Sequence, residues 1–262
     1  MSHHETAAEP AWADKPMWTD LATSDLGASA AFYSRVFGWQ VAVNPDPLYG
    51  GYALATIGGK AVAGIGPKQM AEQPTAWSLY IGTTDADALA AKVQAAGGSV
   101  IVPAMTVGDQ GRTAVFQDPS GAFIGAWQPM AMTGFAGSGP GSYAWAELNA
   151  RGFDAAAAFY RAVFGWTQNE TPMPEGTPPY TQFAADGQDI AGAMEMNPMV
   201  PAAVPSYWLV YFTVADVDAS FKTAIDAGAT EMVGPTSFPG GRFAIISDPH
   251  GAVLGLHQRV AG

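Results

Sequence analysis

Residues 17–39 read MWTDLATSDLGASAAFYSRVFGW, and residues 144–166 read AWAELNARGFDAAAAFYRAVFGW. Laid over one another without a gap, at an offset of 127, they share a Trp, a Leu, an alanine run, Phe-Tyr and a closing Val-Phe-Gly-Trp. A repeat of this kind says more about architecture than any local propensity. Working outward, WSLYIGTTDADALAAKVQAAG at 77–97 matches WLVYFTVADVDASFKTAIDAG at 208–228, offset 131. RTAVFQDPSG at 112–121 matches RFAIISDPHG at 242–251, offset 130. Offsets that drift by a few residues mean loop insertions between equivalent elements. The chain is a tandem duplication, with one domain expected at 16–131 and a second at 142–260. The segment between them, 132–141, lies in a run of small residues, TGFAGSGPGS at 133–142, and reads as a flexible linker.

Each half contains a fainter echo of itself. WTDLAT and WSLYIGT are short, partly alternating, aromatic and aliphatic segments that read as strands. Each is followed by an alanine-rich stretch with apolar residues at helical spacing. In the first helix Ala28, Phe32, Val36 and either Ala31 or Phe37 can share a face, with Gly38 as C-cap. In the second, Leu89, Val93 and Ala96 form the stripe and Gly97-Gly98 ends it. Three more strand-like segments follow each helix: Gln40–Asn44, Tyr52–Ile57 and Ala61–Ile65, then Val100–Val102, Arg112–Gln117 and Phe123–Gln128. The order is βαβββ four times over, an α+β chain of tandem modules, two per domain.

Composition narrows the function. The 262 residues contain no cysteine, which excludes disulfides, thiolate metal sites and cysteine nucleophiles, and only four histidines. Eleven basic against 23 acidic residues give a net charge of −12, which repels phosphate backbones and anionic lipid. Neither nucleic acid nor a membrane is expected as a partner. No apolar run is long enough to span a bilayer, and the leader MSHHETAAEPAWADKP has no secretory pattern, so a cytoplasmic location is expected. His3 and His4 read as solvated tail residues. P-loop, dinucleotide-binding and nucleophile-elbow signatures are missing, and no cofactor is announced.

The module order, AFYSRVFGW at 31–39, AFYRAVFGW at 158–166, and the closing DPSGAFIGAWQ at 118–128 and DPHGAVLGLHQ at 248–258 resemble the vicinal oxygen chelate superfamily. That superfamily includes glyoxalases, extradiol dioxygenases and bleomycin-resistance proteins. The likeness is greatest to two-domain glyoxalase-like proteins of actinobacteria, and it covers nearly the whole chain. It implies that paired modules form cup-shaped mixed sheets, helices outside, with the ligand on the concave side. It also implies where metal ligands should stand. A His or Gln is normal seven residues before the Asp opening each helix, and a Glu seven residues after the Asp of DPxG. Here those positions hold Trp18, Ser78, Trp145 and Leu209, then Gly125 and Gly255. Gly64 and Gly192 stand where the other carboxylates would be needed. No metal is expected, since a divalent ion needs several converging donors.

If Trp18 and Trp145 occupy the former ligand positions, strand alternation turns Asp20 and Glu147 into the cups as well. By the same count Tyr80 and Tyr211 face inward, and Trp127 and His257 occupy equivalent places on the last strands. Asp20, Glu147 and His257 are therefore the candidate catalytic groups. Trp18, Tyr80, Trp127, Trp145 and Tyr211 are the candidate ligand-binding groups. Arg112 and Arg242 join them as possible anion binders, the alternative being ion pairs with Asp118, Asp248 or a neighbouring loop. Asp118 and Asp248 read as Asx-type formers of the DPxG turns. The Trp residues serve equally well as packing. The carboxylates are harder to dismiss, because burial in an aromatic cup raises their pKa toward values useful in proton transfer. Two functions follow: a metal-independent lyase, isomerase or cyclase acting on a small, partly aromatic metabolite, or a non-catalytic protein that sequesters such a molecule. The sequence leaves the oligomeric state open.

Overall fold

A computed structural model describes residues 10–171 and 180–259. The reading of His3 and His4 lies outside the described residues. The first half runs β1 (Pro16–Thr23), α1 (Leu26–Phe37), β2 (Gln40–Val43), β3 (Ala53–Ile57), β4 (Lys60–Pro67), β5 (Ala76–Gly82), α2 (Ala86–Ala95), β6 (Ser99–Val107), β7 (Gly111–Gln117) and β8 (Phe123–Pro129). The second repeats it: β9 (Tyr143–Ala150), α3 (Phe153–Phe164), β10 (Thr167–Thr171), β11 (Tyr180–Ala185), β12 (Gln188–Glu195), β13 (Tyr207–Thr213), α4 (Val217–Asp226), β14 (Thr230–Phe238), β15 (Gly241–Ser247) and β16 (Val253–Arg259). The module order βαβββ holds four times.

The helices start where the sequence supplies caps. Asp25, Asp85 and Asp216 each accept a hydrogen bond from a first-turn backbone N–H. In α3 that place falls to Gly152, whose left-handed φ of 78° favours glycine, and no side chain caps there. Glu195, at the end of β12, substitutes for the cap, accepting from the N–H groups of Gly152 and Phe153 at 3.1 and 2.8 Å. Gly38 closes α1 in the left-handed conformation, its N–H bonded to the Ser34 carbonyl.

Each half is one eight-stranded mixed sheet, in the orders β2-β3-β4-β1-β5-β8-β7-β6 and β10-β11-β12-β9-β13-β16-β15-β14. The central pair in each, β1 with β5 and β9 with β13, is antiparallel, whereas β1–β4 and β5–β8 run parallel. The first sheet curls until its ends meet. Tyr49, in the 3-10 turn between β2 and β3, donates a hydrogen bond of 3.0 Å to Asp109 at the β6–β7 turn. Along β1, Met17, Thr19, Leu21 and Thr23 are buried on the helix side, while Trp18, Asp20 and Ala22 face the hollow.

The halves share one core. Phe212 of β13 lies 4.9 Å from Trp77, 5.2 Å from Phe37 and 5.3 Å from Trp39, ring centroid to centroid. Helix α1 packs on α4 and α2 on α3, each pair drawn from opposite halves. The Asx reading of the DPxG turns is correct in geometry but incomplete. Asp118 Oδ1 accepts from the backbone of Ser120 and Ala122, and Asp248 Oδ1 from His250 and Ala252. The second oxygen of each crosses between halves: Tyr160 donates to Asp118 at 2.9 Å and Tyr33 to Asp248 at 2.8 Å. Trp208 and Trp77 donate in turn to those two hydroxyls.

The linker corrects an expectation of flexibility. Phe135 and Ala136 donate backbone hydrogen bonds to Met17 and Ala61, Gly141 bonds to Thr213, and the Trp39 indole donates to the Gly141 carbonyl at 2.7 Å. Its glycines are there for close approach. A Cβ on Gly134 would meet the Met17 carbonyl at 2.6 Å, and one on Gly137 would meet Val62 at 2.5 Å.

Candidate functional site

The concave face of the first sheet brings together Trp18 and Asp20 from β1, Tyr80 from β5, and Tyr52, which sits just before β3. Across the sheet Asp20 lies between Ser78 and Gly64, and Trp18 beside Tyr80, which in turn neighbours Gly125. The Trp18 indole donates to the Tyr52 hydroxyl at 2.9 Å. Tyr52 and Tyr80 donate to the two oxygens of Asp20, each at 3.3 Å. Asp20 keeps part of its surface open, yet its carboxyl is deeply surrounded by protein. Burial pushes its pKa up to about 7, against the opposing pull of the Tyr80 and Tyr52 hydrogen bonds.

The second sheet builds the counterpart. Trp145 donates to the Tyr180 hydroxyl at 3.0 Å, and Asn149 donates to Glu147 Oε1 at 3.2 Å. Burial raises the Glu147 carboxyl, while Asn149 and Tyr180 hold it back. Tyr211 lies against Gly255, and Glu147 aligns with Leu209 and Gly192. His257 sits half-buried on β16 with its pKa lowered by burial and by nearby Arg259. Phe238 lies 5.8 Å from it.

Other candidates go elsewhere. Trp127 faces the first cup but is packed against Gly111, and its indole donates to the Met132 carbonyl at 2.9 Å. Arg112 and Arg242 lie on the helix side, where their partners are neither Asp118 nor Asp248. Arg112 bonds Asp87 at 2.7 Å, and Arg242 makes a two-pronged pair with Asp218 at 2.7 and 2.8 Å, both carboxylates in first helical turns. The sequence reading missed Tyr52 and Tyr180. The repeat does carry them, since each stands 12 residues before the cup glycine it covers, Gly64 or Gly192.

Those glycines explain what became of the ligand positions. A Cβ on Gly64 would run into the Tyr52 hydroxyl, and one on Gly192 into that of Tyr180. On Gly125 and Gly255 it would strike the rings of Tyr80 and Tyr211. Tyrosine thus fills, from the neighbouring strand, the space a carboxylate would occupy. An open hollow of about 480 Å³ lies apart from both cups, beside Gly152, Phe153, Glu170 and Glu195, where the helix N–H groups are already bonded to Glu195.

Residues 15–125 and 142–256 each match the model of the Glyoxalase/Bleomycin resistance protein/Dioxygenase superfamily. The chain belongs to that superfamily. A Mycobacterium tuberculosis protein, CFP32, whose name marks it as a candidate glyoxylase, is 39% identical over 247 residues, covering 92% of this chain and 93% of its own. The anthracycline biosynthesis protein DnrV of Streptomyces peucetius is 38% identical over 252 residues, 90% of each chain. Among solved structures, the Mn(II)-bound glyoxalase of Novosphingobium aromaticivorans superposes with a TM-score of 0.66 at 16% identity, covering 95% of this chain and 83% of that one. The 2,3-dioxygenase LapB of Pseudomonas sp. KL28 gives 0.61 at 15% identity, covering 93% and 91%. These two likenesses are of fold.

A metal of the kind held by such superfamily members does not fit the residues present here. Trp, Ser, Leu and Gly stand at the expected ligand positions, and tyrosine rings fill the space before the glycines. Among the described residues no three His, Asp or Glu side chains converge as ligands. Nor is any helix among them long and apolar enough to cross a membrane.

Proposed function

We propose that this superfamily member is a metal-independent acid–base enzyme acting on a small, partly aromatic metabolite held in a cup. The observation that carries the reading is a carboxylate raised toward neutrality by burial, ringed by tyrosine hydroxyls and flanked by tryptophan, present in both halves. A carboxylate poised near the working pH takes a proton from a substrate carbon or hydroxyl and can return it to a second atom or to a leaving group. Isomerase, cyclase and lyase reactions share that step. In it Asp20 or Glu147 moves the proton, and Tyr80 or Tyr211 lies beside it to hydrogen-bond developing negative charge on the substrate. The tryptophan faces offer a flat apolar wall for a ring. Relatives named for anthracycline biosynthesis make an aromatic substrate a natural fit.

The second reading is sequestration without chemistry. It draws on Asp20, both of whose oxygens are already bonded to tyrosines. A turnover screen on aromatic ketones and phenols with wild type, Asp20→Asn and Glu147→Gln separates the two. Loss of turnover by about 10²–10⁴-fold in one variant, with binding retained, is expected of the enzyme. Tight binding with no turnover in the wild type would establish sequestration instead.

A further inference from the structure

The two cups differ in which polar groups are already spent. In the first, Trp18, Tyr52, Tyr80 and Asp20 form a closed chain of hydrogen bonds, and Trp127 is tied to the linker. Phe135 lies 5.6 Å from the Trp18 ring, and the Tyr49–Asp109 bond joins the two ends of the sheet.

In the second, two buried polar atoms have no hydrogen-bond partner among the described residues: the Tyr143 hydroxyl and His257 Nδ1. A buried polar atom without a protein partner is costly, and folded proteins retain few such groups. Both lie at the edge of the cup. Tyr143 opens β9 beside a bulge that pairs it with Phe212, and its hydroxyl is close enough to Tyr180 to raise that group. His257 pairs across the sheet with Thr213, whose backbone bonds Ser142 beside Tyr143, so the two orphans flank one end of β13.

Aromatic rings line that end. Phe135 stacks on Tyr143 at 4.7 Å, Phe238 lies against His257, and Phe243 lies 5.8 Å from Phe238 and 6.4 Å from Tyr211. Among the described residues, the arginines nearest the second sheet are mostly paired or outside the cup. Arg242 is paired with Asp218, Arg151 donates to the carbonyls of Val200, Pro201 and Val204, and Arg259 is exposed. With Glu147 nearby, an anionic ligand would be repelled. A neutral hydroxyl or carbonyl on an aromatic ring meets both orphans, since a phenol can donate and accept.

We infer that the second cup is the ligand site, that it takes a neutral hydroxy- or keto-aromatic molecule bonded to Tyr143 and His257, and that the first cup is packed structure. This rests on reading the cups as the functional site, and adds which cup and which ligand class.

The test is binding of 2-naphthol, naphthalene and 2-naphthoate, followed by tryptophan fluorescence or ligand-observed NMR. Wild type is expected to prefer 2-naphthol over both others by about five- to tenfold, one hydrogen bond's worth against naphthalene. Tyr143→Phe should bring the 2-naphthol to naphthalene ratio near one. Because it removes an orphan hydroxyl, the same variant should melt no lower than wild type, which also checks its folding. If the preference survives Tyr143→Phe and falls instead with Tyr80→Phe, the ligand sits in the first cup and the inference is overturned. Tighter binding of 2-naphthoate, or no saturable binding of 2-naphthol, overturns it as well. Binding as expected with no turnover of any compound would sink the acid–base reading and leave this one standing. Turnover abolished only by Asp20→Asn would do the reverse.

Discussion

At the residue scale, the four cup glycines and the four tyrosines covering them are a single feature. Gly64 permits Tyr52, Gly125 permits Tyr80, and Gly192 and Gly255 repeat the arrangement with Tyr180 and Tyr211. Gly125→Ala sets a methyl group into the Tyr80 ring, an overpacking expected to cost about 1–3 kcal/mol, read as a lower denaturant midpoint. Asp20 makes a second prediction. Its folded pKa of about 7 lies above the value near 3.9 of an unfolded aspartate, so the folded state holds the proton more tightly. The resulting stability is fully present below about pH 4 and is lost as pH rises toward 7, after which it is flat. Asp20→Asn should flatten that part of the stability–pH curve in urea titrations from pH 4 to 8. An unchanged slope would mean that Asp20 titrates normally.

At the scale of elements, the device that joins the halves is the tyrosine of each AFY motif. Tyr33 and Tyr160 are both fully buried. Sequence alone does not reveal that each helix docks beside the DPxG turn of the other half. There the Tyr33 hydroxyl completes an aspartate 215 residues away, and the Tyr160 hydroxyl one 42 residues away. Tyr160→Phe leaves Asp118 Oδ2 and the Trp208 indole without their partner, and should destabilise by about 2–4 kcal/mol in chemical denaturation. Combining Tyr33→Phe with Tyr160→Phe in a double-mutant cycle reports whether the two locks act together. The linker belongs at this scale too. Small residues suit both a free tether and a strap pressed onto a sheet, and composition cannot separate them. Backbone contacts to Met17, Ala61 and Thr213 decide for the strap.

At the scale of the whole molecule, one core holding Phe37, Trp39, Trp77 and Phe212 spans both halves. Unfolding should therefore be a single transition, with circular dichroism and tryptophan fluorescence coincident in urea. Two separated transitions would mean that the halves are independent. The sequence by itself determined the duplication, the βαβββ modules, the Gly38 cap of the first helix and, through the family resemblance, the loss of the usual ligand set, because periodicity, capping and residue identity are local. Alternation along β1 and β9 also put Asp20 and Glu147 on the concave faces. Only the tertiary structure decided which groups meet there. Tyr52 and Tyr180 reach the cups from the other side of a crossover, Arg112 and Arg242 turn to first-turn aspartates, and Tyr143 is left without a hydrogen-bond partner among the described residues. Those outcomes depend on how sheets curl and pack across tens of residues, and sequence spacing carries no measure of that distance.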